Sequence, residues 1–154
     1  MIQDKNCLFC GIANGVEQSW PIWEDERFIA FLTPFPNTAG FTVVIPKSHS
    51  DSDVLGFSDL DFSDLLLAAK KVSDVLRKSL GVRRVGLVVE GMGVDHAHVK
   101  LIPMHGIPEE PWKPMLSEQP VFGGIYQGYL STHDGPRMSD EELDSIQAVI
   151  TSSI

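Results

Sequence analysis

The sequence predicts an α+β fold, an antiparallel meander sheet of about five strands with one long helix between its halves and a C-terminal arm and helix. Three observations carry this. Two apolar runs, residues 28–32 and 41–45, flank the turn sequence "TPFPNTAG". Apolar residues then recur three or four apart over residues 58–80. Two more runs, 85–90 and 96–103, follow with the glycines of "GMG" between them.

Each element has a local cause. "FIAFL" is a continuous apolar run, and "FTVVI" is rich in β-branched residues and stopped by Pro46, as expected of strands joined by a Pro-Asn-Gly turn. Phe62, Leu66, Ala69, Val72, Leu76 and Leu80 trace one face of a helix, with Lys and Asp between them and Gly81 as its stop. "RRVGLVVEG" supplies a third clear strand and "HAHVKLIP" a fourth, ended at Pro103. The stretch after it is rich in proline and glycine and reads as an arm with aromatic anchors Trp112, Phe122, Tyr126 and Tyr129. Ser139 and Glu142 have capping-box spacing, and Leu143, Ile146 and Val149 follow at helical spacing.

The 154 residues suit a single domain, 1–154, with a real core. No apolar run approaches membrane-spanning length, and "MIQDKNCLFC" does not read as a signal peptide, so a cytoplasmic protein without a membrane partner is expected. The formal charge of −9 argues against a nucleic-acid partner. Lys70, Lys71, Arg77, Lys78, Arg83 and Arg84 alone approach a basic cluster, and several of these fall on the solvated face of the long helix. An acidic chain can still hold one small phosphate ligand through backbone donors and a local cation.

Chemistry concentrates in "VDHAHVKLIP". Alternation places His96, His98 and Lys100 on one face of an extended segment. A neutral imidazole is a nucleophile near pH 7, and a neighbouring lysine both keeps it neutral and reaches a phosphate oxygen. Gly91 and Gly93 just before it would let a phosphate approach backbone N–H groups. Cys7 and Cys10 form a Cys-x2-Cys pair, which on its own fits a redox couple, half a zinc site or two small buried residues. His105, in "PMHG", and His133, in "STHDG", read as loop and turn residues.

The segment His96-Ala-His98-Val-Lys100-Leu-Ile resembles the motif of the histidine triad (HIT) nucleotide-binding superfamily, His-φ-His-φ-His-φ-φ with φ apolar. "CLFCGIANG", "WEDERFIAFLTPFPNTAGFTVVIPKSH" and "VGLVVEGMGVDHAHVKLIP" occur in the family's order. The resemblance covers about residues 4–104, leaving 105–154 as an arm and helix outside the shared core.

The resemblance implies a nucleotide hydrolase or nucleotidyl transferase. His98 stands where the family has its nucleophile, which attacks the α-phosphorus and forms a covalent nucleotidyl-histidine. Purine nucleotides, dinucleoside polyphosphates and nucleoside phosphoramidates are the implied ligands, and a non-catalytic nucleotide sensor or interaction module is the alternative. Phe9, Phe31, Leu32 and Val43 match the apolar wall of the nucleoside pocket, with Glu90 at a polar position at the end of the third strand. Zinc-bearing members place ligands at Cys7, Cys10, His49 and His96, which implies a closed, structural Zn2+ site. A homodimer, paired through the long helix and a sheet edge, is also implied.

Three departures stand out. Lys100 replaces the third histidine; a related transferase branch has Gln there. Gly91-Met92-Gly93 is shorter than the family's loop and lacks its hydroxyl donor. Thr33 occupies the place of an Asp that holds the ribose hydroxyls.

Overall fold

A computed structural model of the chain describes residues 3–107 and 137–152. The arm residues Trp112, Phe122, Tyr126, Tyr129 and His133 lie outside the described residues. In chain order the elements are helix α1 (Leu8–Ala13), strands β1 (Trp20–Glu24), β2 (Phe28–Leu32) and β3 (Thr42–Pro46), a 3-10 turn (Val54–Gly56), helix α2 (Asp59–Leu80), strands β4 (Arg84–Val88) and β5 (Val99–Met104), and helix α3 (Asp140–Thr151).

The five strands form one antiparallel sheet in the order β1-β2-β3-β5-β4. β1, β2 and β3 make the meander. The long helix then carries the chain to the far edge, where β4 and β5 form a hairpin and β5 returns to pair with β3. The expected α+β architecture with a helix between two sheet halves is therefore the observed one.

One face of the sheet is sealed by α2 and α3. Ala30, Leu32, Val44, Val99 and Leu101 meet Leu65, Ala69, Val72 and Leu76 of α2 and Leu143 and Ile150 of α3. Each fully buried aliphatic side chain contributes on the order of 1.5–3 kcal/mol. α2 starts at Ser58, whose hydroxyl accepts the Asp61 N–H, and ends at Gly81 in the left-handed conformation, φ 63°. The opposite face carries a smaller cluster, in which Phe9 and Ile12 of α1 cover Ile29, Phe31, Val43 and Ile45. This second face is the one that holds the chemistry.

Two elements differ from the sequence expectation. β5 starts at Val99, so His96 and His98 precede the strand, and β4 ends at Val88, before Glu90. The reason lies in the segment 91–98, which packs on the loop after β3. Ala97 N–H donates to the Ser50 carbonyl at 3.3 Å, and Ser52 N–H donates to Asp95 Oδ1 at 3.2 Å. Those backbone groups are used by the loop rather than by a strand ladder.

Candidate active site and metal cluster

Cys7 caps α1 and Cys10 follows three residues on, so one helical turn brings both sulfurs to the same side. His49, in the loop after β3, and His96, before β5, face them. Cys7 Sγ lies 3.4 Å from His96 Nδ1, Cys10 Sγ 3.4 Å from His49 Nδ1, and Cys10 Sγ 3.7 Å from His96 Nδ1. The four donor atoms all lie within 4.8 Å of one another, close enough to hold a metal ion.

The chemistry of the set fits such an ion. His96 Nε2 is 2.9 Å from the Pro46 carbonyl, which can only accept, so Nε2 carries the proton and Nδ1 keeps its lone pair toward the sulfurs. Burial holds the His96 imidazole below its ordinary pKa, in the neutral form that ligates metals. Burial pushes the Cys10 thiol up, a shift that a cation among these atoms opposes by favouring thiolate. With metal–sulfur bonds near 2.3 Å and metal–nitrogen bonds near 2.0 Å, a tetrahedron has S···N edges of roughly 3.6 Å. The measured separations of 3.4, 3.4 and 3.7 Å lie around that value.

His98 belongs to the neighbouring cavity. Its Nδ1 is 2.8 Å from the His96 carbonyl, so Nδ1 donates and Nε2 retains the lone pair. Phe9 packs edge-on against the ring, centroid to centroid 5.5 Å at 77°. Only 2% of His98 is exposed. Its pKa is held below the ordinary histidine value chiefly by burial, with the Lys100 charge adding to this; the His96 and Met92 carbonyls and Glu90 act in the opposite sense.

The cavity has a volume of about 290 Å³. Phe9, Phe31, Leu32 and Val43 form part of its apolar wall, and Thr33, Gly93, His98 and Lys100 also line it. The sequence thus points to eight of the lining residues. Glu90 and Gly91 are not among them. Glu90 instead forms an ion pair with Lys100, the two side chains being 17% and 14% exposed. Gly91 has φ +67°, and a Cβ there would lie 2.7 Å from the Ser52 carbonyl oxygen, so it is required for packing of the loop. The Thr33 hydroxyl accepts the Phe35 N–H at 3.3 Å. His105 donates from Nε2 to the Ala39 carbonyl and lies outside the cavity.

Leu8, Ile12, Trp20 and Met92 also line the cavity and were not singled out from the sequence. Leu8 and Ile12 belong to α1, whose six residues are too few to display a period; the i, i+4 spacing of those two residues is the one local signal. A second cavity, about 560 Å³, lies beyond His49 between Arg27, Phe28, Phe57 and Leu65, and neither His98 nor Lys100 reaches it.

Comparison with known proteins places this geometry among relatives. The family described as HIT domain matches residues 14–111. The chain is 30% identical to the adenosine 5′-monophosphoramidase of Schizosaccharomyces pombe over 64% of this chain and 74% of that protein. Among solved structures it resembles a hypothetical histidine triad nucleotide-binding protein from Sulfolobus tokodaii, with TM-score 0.71 and 24% identity over 96% of this chain and 91% of that one. It also shares the fold of a zinc-bound histidine triad family protein from Mycobacterium smegmatis, with TM-score 0.63 and 21% identity over 96% and 94% of the two chains.

Proposed function

The chain belongs to the HIT domain family, and on that premise we propose that it is a nucleotide hydrolase or nucleotidyl transferase that works through a covalent nucleotidyl-His98. The observation that carries this reading is the 2.8 Å bond from His98 Nδ1–H to the His96 carbonyl. It fixes the tautomer in which Nε2 is the nucleophilic nitrogen, in a cavity whose apolar wall suits a base.

In the first step the Nε2 lone pair forms a bond to the α-phosphorus. The bond from phosphorus to the second substituent breaks, and its electron pair leaves with that group. The imidazole becomes cationic as it does so, which strengthens the Nδ1–H donation to the His96 carbonyl. Lys100 stands in the same cavity to receive the charge on the phosphoryl oxygens. In the second step water or another acceptor attacks phosphorus and the nitrogen–phosphorus bond breaks, returning the lone pair to Nε2; the proton the acceptor loses passes to solvent, which likewise supplies the proton taken up by the departed group. Adenosine nucleotides with a phosphate-linked second group are the substrates this reading favours, and the named activity of the S. pombe relative supports phosphoramidates among them.

Cys7, Cys10, His49 and His96 would hold Zn2+ in a structural role. The donor set, its spacing and the zinc-bound relative support this. With all four positions filled by protein the ion would supply no open coordination site; it would tie α1 to the segment whose carbonyl orients His98.

The test is covalent labelling with a radioactive nucleoside phosphoramidate and a dinucleoside polyphosphate. A nucleotidyl adduct is expected on wild type and not on His98→Ala. No adduct and no turnover across such a panel would defeat the enzyme reading. A specific observation favours a second reading, a nucleotide sensor: the Lys100 charge is already engaged by Glu90. Tight AMP binding by calorimetry beside null kinetics would select it.

A further inference from the structure

Lys100 stands between two strands, paired with Val43 of β3 and Val88 of β4, so its backbone has little freedom. Its side chain lies on the cavity face, where among the described lining residues it is the one Lys or Arg and no carboxylate is present. Its ammonium is nevertheless paired, to Glu90. Glu90 sits just past β4, at the start of the loop to β5. The next residue, Gly91, is pressed on the Ser52 carbonyl, and the loop beyond it is tied by the Ser52–Asp95 and Ala97–Ser50 hydrogen bonds. The pair is mostly buried and its two charges sum to about zero.

We propose that Glu90 is a specificity-determining residue that acts through Lys100, offsetting the ammonium's gain from each added negative charge so that a nucleotide with one negative charge competes with more highly charged ones. This deepens the nucleotide reading above and rests on it. A monoanionic phosphate, such as a diester or a phosphoramidate, can take the outward donors of the ammonium while Glu90 keeps the others. Each further negative charge is drawn to the ammonium and repelled by the carboxylate paired with it, so the pair gains little from added charge. At partly screened distances of a few ångströms each of the two opposing effects is on the order of tenfold in affinity per charge. A lone lysine would favour the more highly charged ligand, since it gains from every added charge. Glu90 therefore lets diesters and phosphoramidates, which carry one charge and a leaving group, compete with monoesters of higher charge.

The experiment is calorimetry at pH 8, where a phosphate monoester is close to a dianion, with the methyl ester of AMP, AMP and ADP. Wild type is expected to bind the three with affinities within about a few fold of one another. Glu90→Gln is expected to tighten AMP by about tenfold and ADP by more, with the methyl ester changed by less than about twofold. Glu90→Asp keeps the charge and is expected to keep the near-equal affinities, which a purely structural role for Glu90 would not produce. If Glu90→Gln does not fold, a salt titration of wild type serves instead, because the three affinities should respond weakly and alike as ionic strength rises. Equal changes for all three ligands, or an order that favours the more charged ones in wild type, overturns the charge filter alone. Failure of wild type to bind any of them overturns the nucleotide reading and the filter together.

Discussion

His96 and His98 are two residues apart and have opposite tautomers, and a backbone carbonyl decides each. Pro46 O takes the Nε2 proton of His96 and leaves Nδ1 to the cysteines; His96 O takes the Nδ1 proton of His98 and leaves Nε2 to the cavity. The orienting group of His98 is thus the backbone of His96, so the proposed nucleophile depends on where that backbone is held. Two outcomes follow. His98→Ala should abolish adduct formation and lower turnover by at least about a thousandfold, the order seen when a catalytic nucleophile is removed. His96→Ala should remove a metal ligand while sparing the carbonyl, so adduct should still form, more slowly, in protein whose metal content has fallen. Comparable adduct rates in His98→Ala and wild type would show that the nucleophile is elsewhere.

At the scale of elements, the closing helix is where sequence and structure agree most closely. Ser139 and Glu142 form the capping box that their spacing predicts, with Ser139 Oγ accepting the Glu142 N–H and the Glu142 carboxylate accepting the Ser139 N–H. Trp20 Nε1 donating to Asp144, Gln147 to the Pro21 carbonyl and Ser79 to the Ile150 carbonyl then dock α3 on β1 and α2. Ser139→Ala should cost about 1 kcal/mol, or roughly 2–4 °C in Tm. The hydrogen bonds to Ser139 hold the Glu142 carboxyl below its ordinary pKa. Its contribution is therefore complete above the unfolded glutamate range and is lost as pH falls through the lower folded value. Glu142→Gln should flatten the acid limb of the stability curve, read as Tm against pH; an unaltered limb would discount the box. Long or strongly patterned elements such as α2 and β2 were legible because their burial repeats over many residues. β1 was not, since Pro21 and a register shift between Pro21 and Trp23 break its alternation. The burial of His98 was not legible either, because it depends on α1 folding across the far face of the sheet, a contact between distant parts of the chain.

For the whole molecule, Cys7, Cys10, His49 and His96 with zinc bound would form a staple across the second face of the sheet, where the apolar cluster is small. Cys10→Ser should lose stoichiometric zinc by elemental analysis and lower Tm by about 4–8 °C, the shift expected for roughly 2 kcal/mol in a chain of this size. The other whole-molecule question is what covers the far edge. β1 at one edge is packed by α3, whereas among the described residues no strand lies beyond β4 at the other. Leu87 of β4 is 46% exposed and Met104 of its partner strand 38%. An edge of that kind, with open backbone donors and acceptors beside apolar side chains, is a template for pairing with a second copy. Ser73 and Arg77 of α2 border Arg84 and Val85 of β4 around one surface hollow, so a two-fold pairing at that edge can join strand to strand and helix to helix. A stable pair needs roughly 1,200–2,000 Å² of buried surface, more than one strand supplies, so both elements must take part. Light scattering coupled to gel filtration should give twice the chain mass for wild type. Leu87→Lys should shift it toward the chain mass while leaving the far-ultraviolet circular dichroism unchanged. A monomeric wild type, or a dimer indifferent to Leu87→Lys, would remove β4 from the interface.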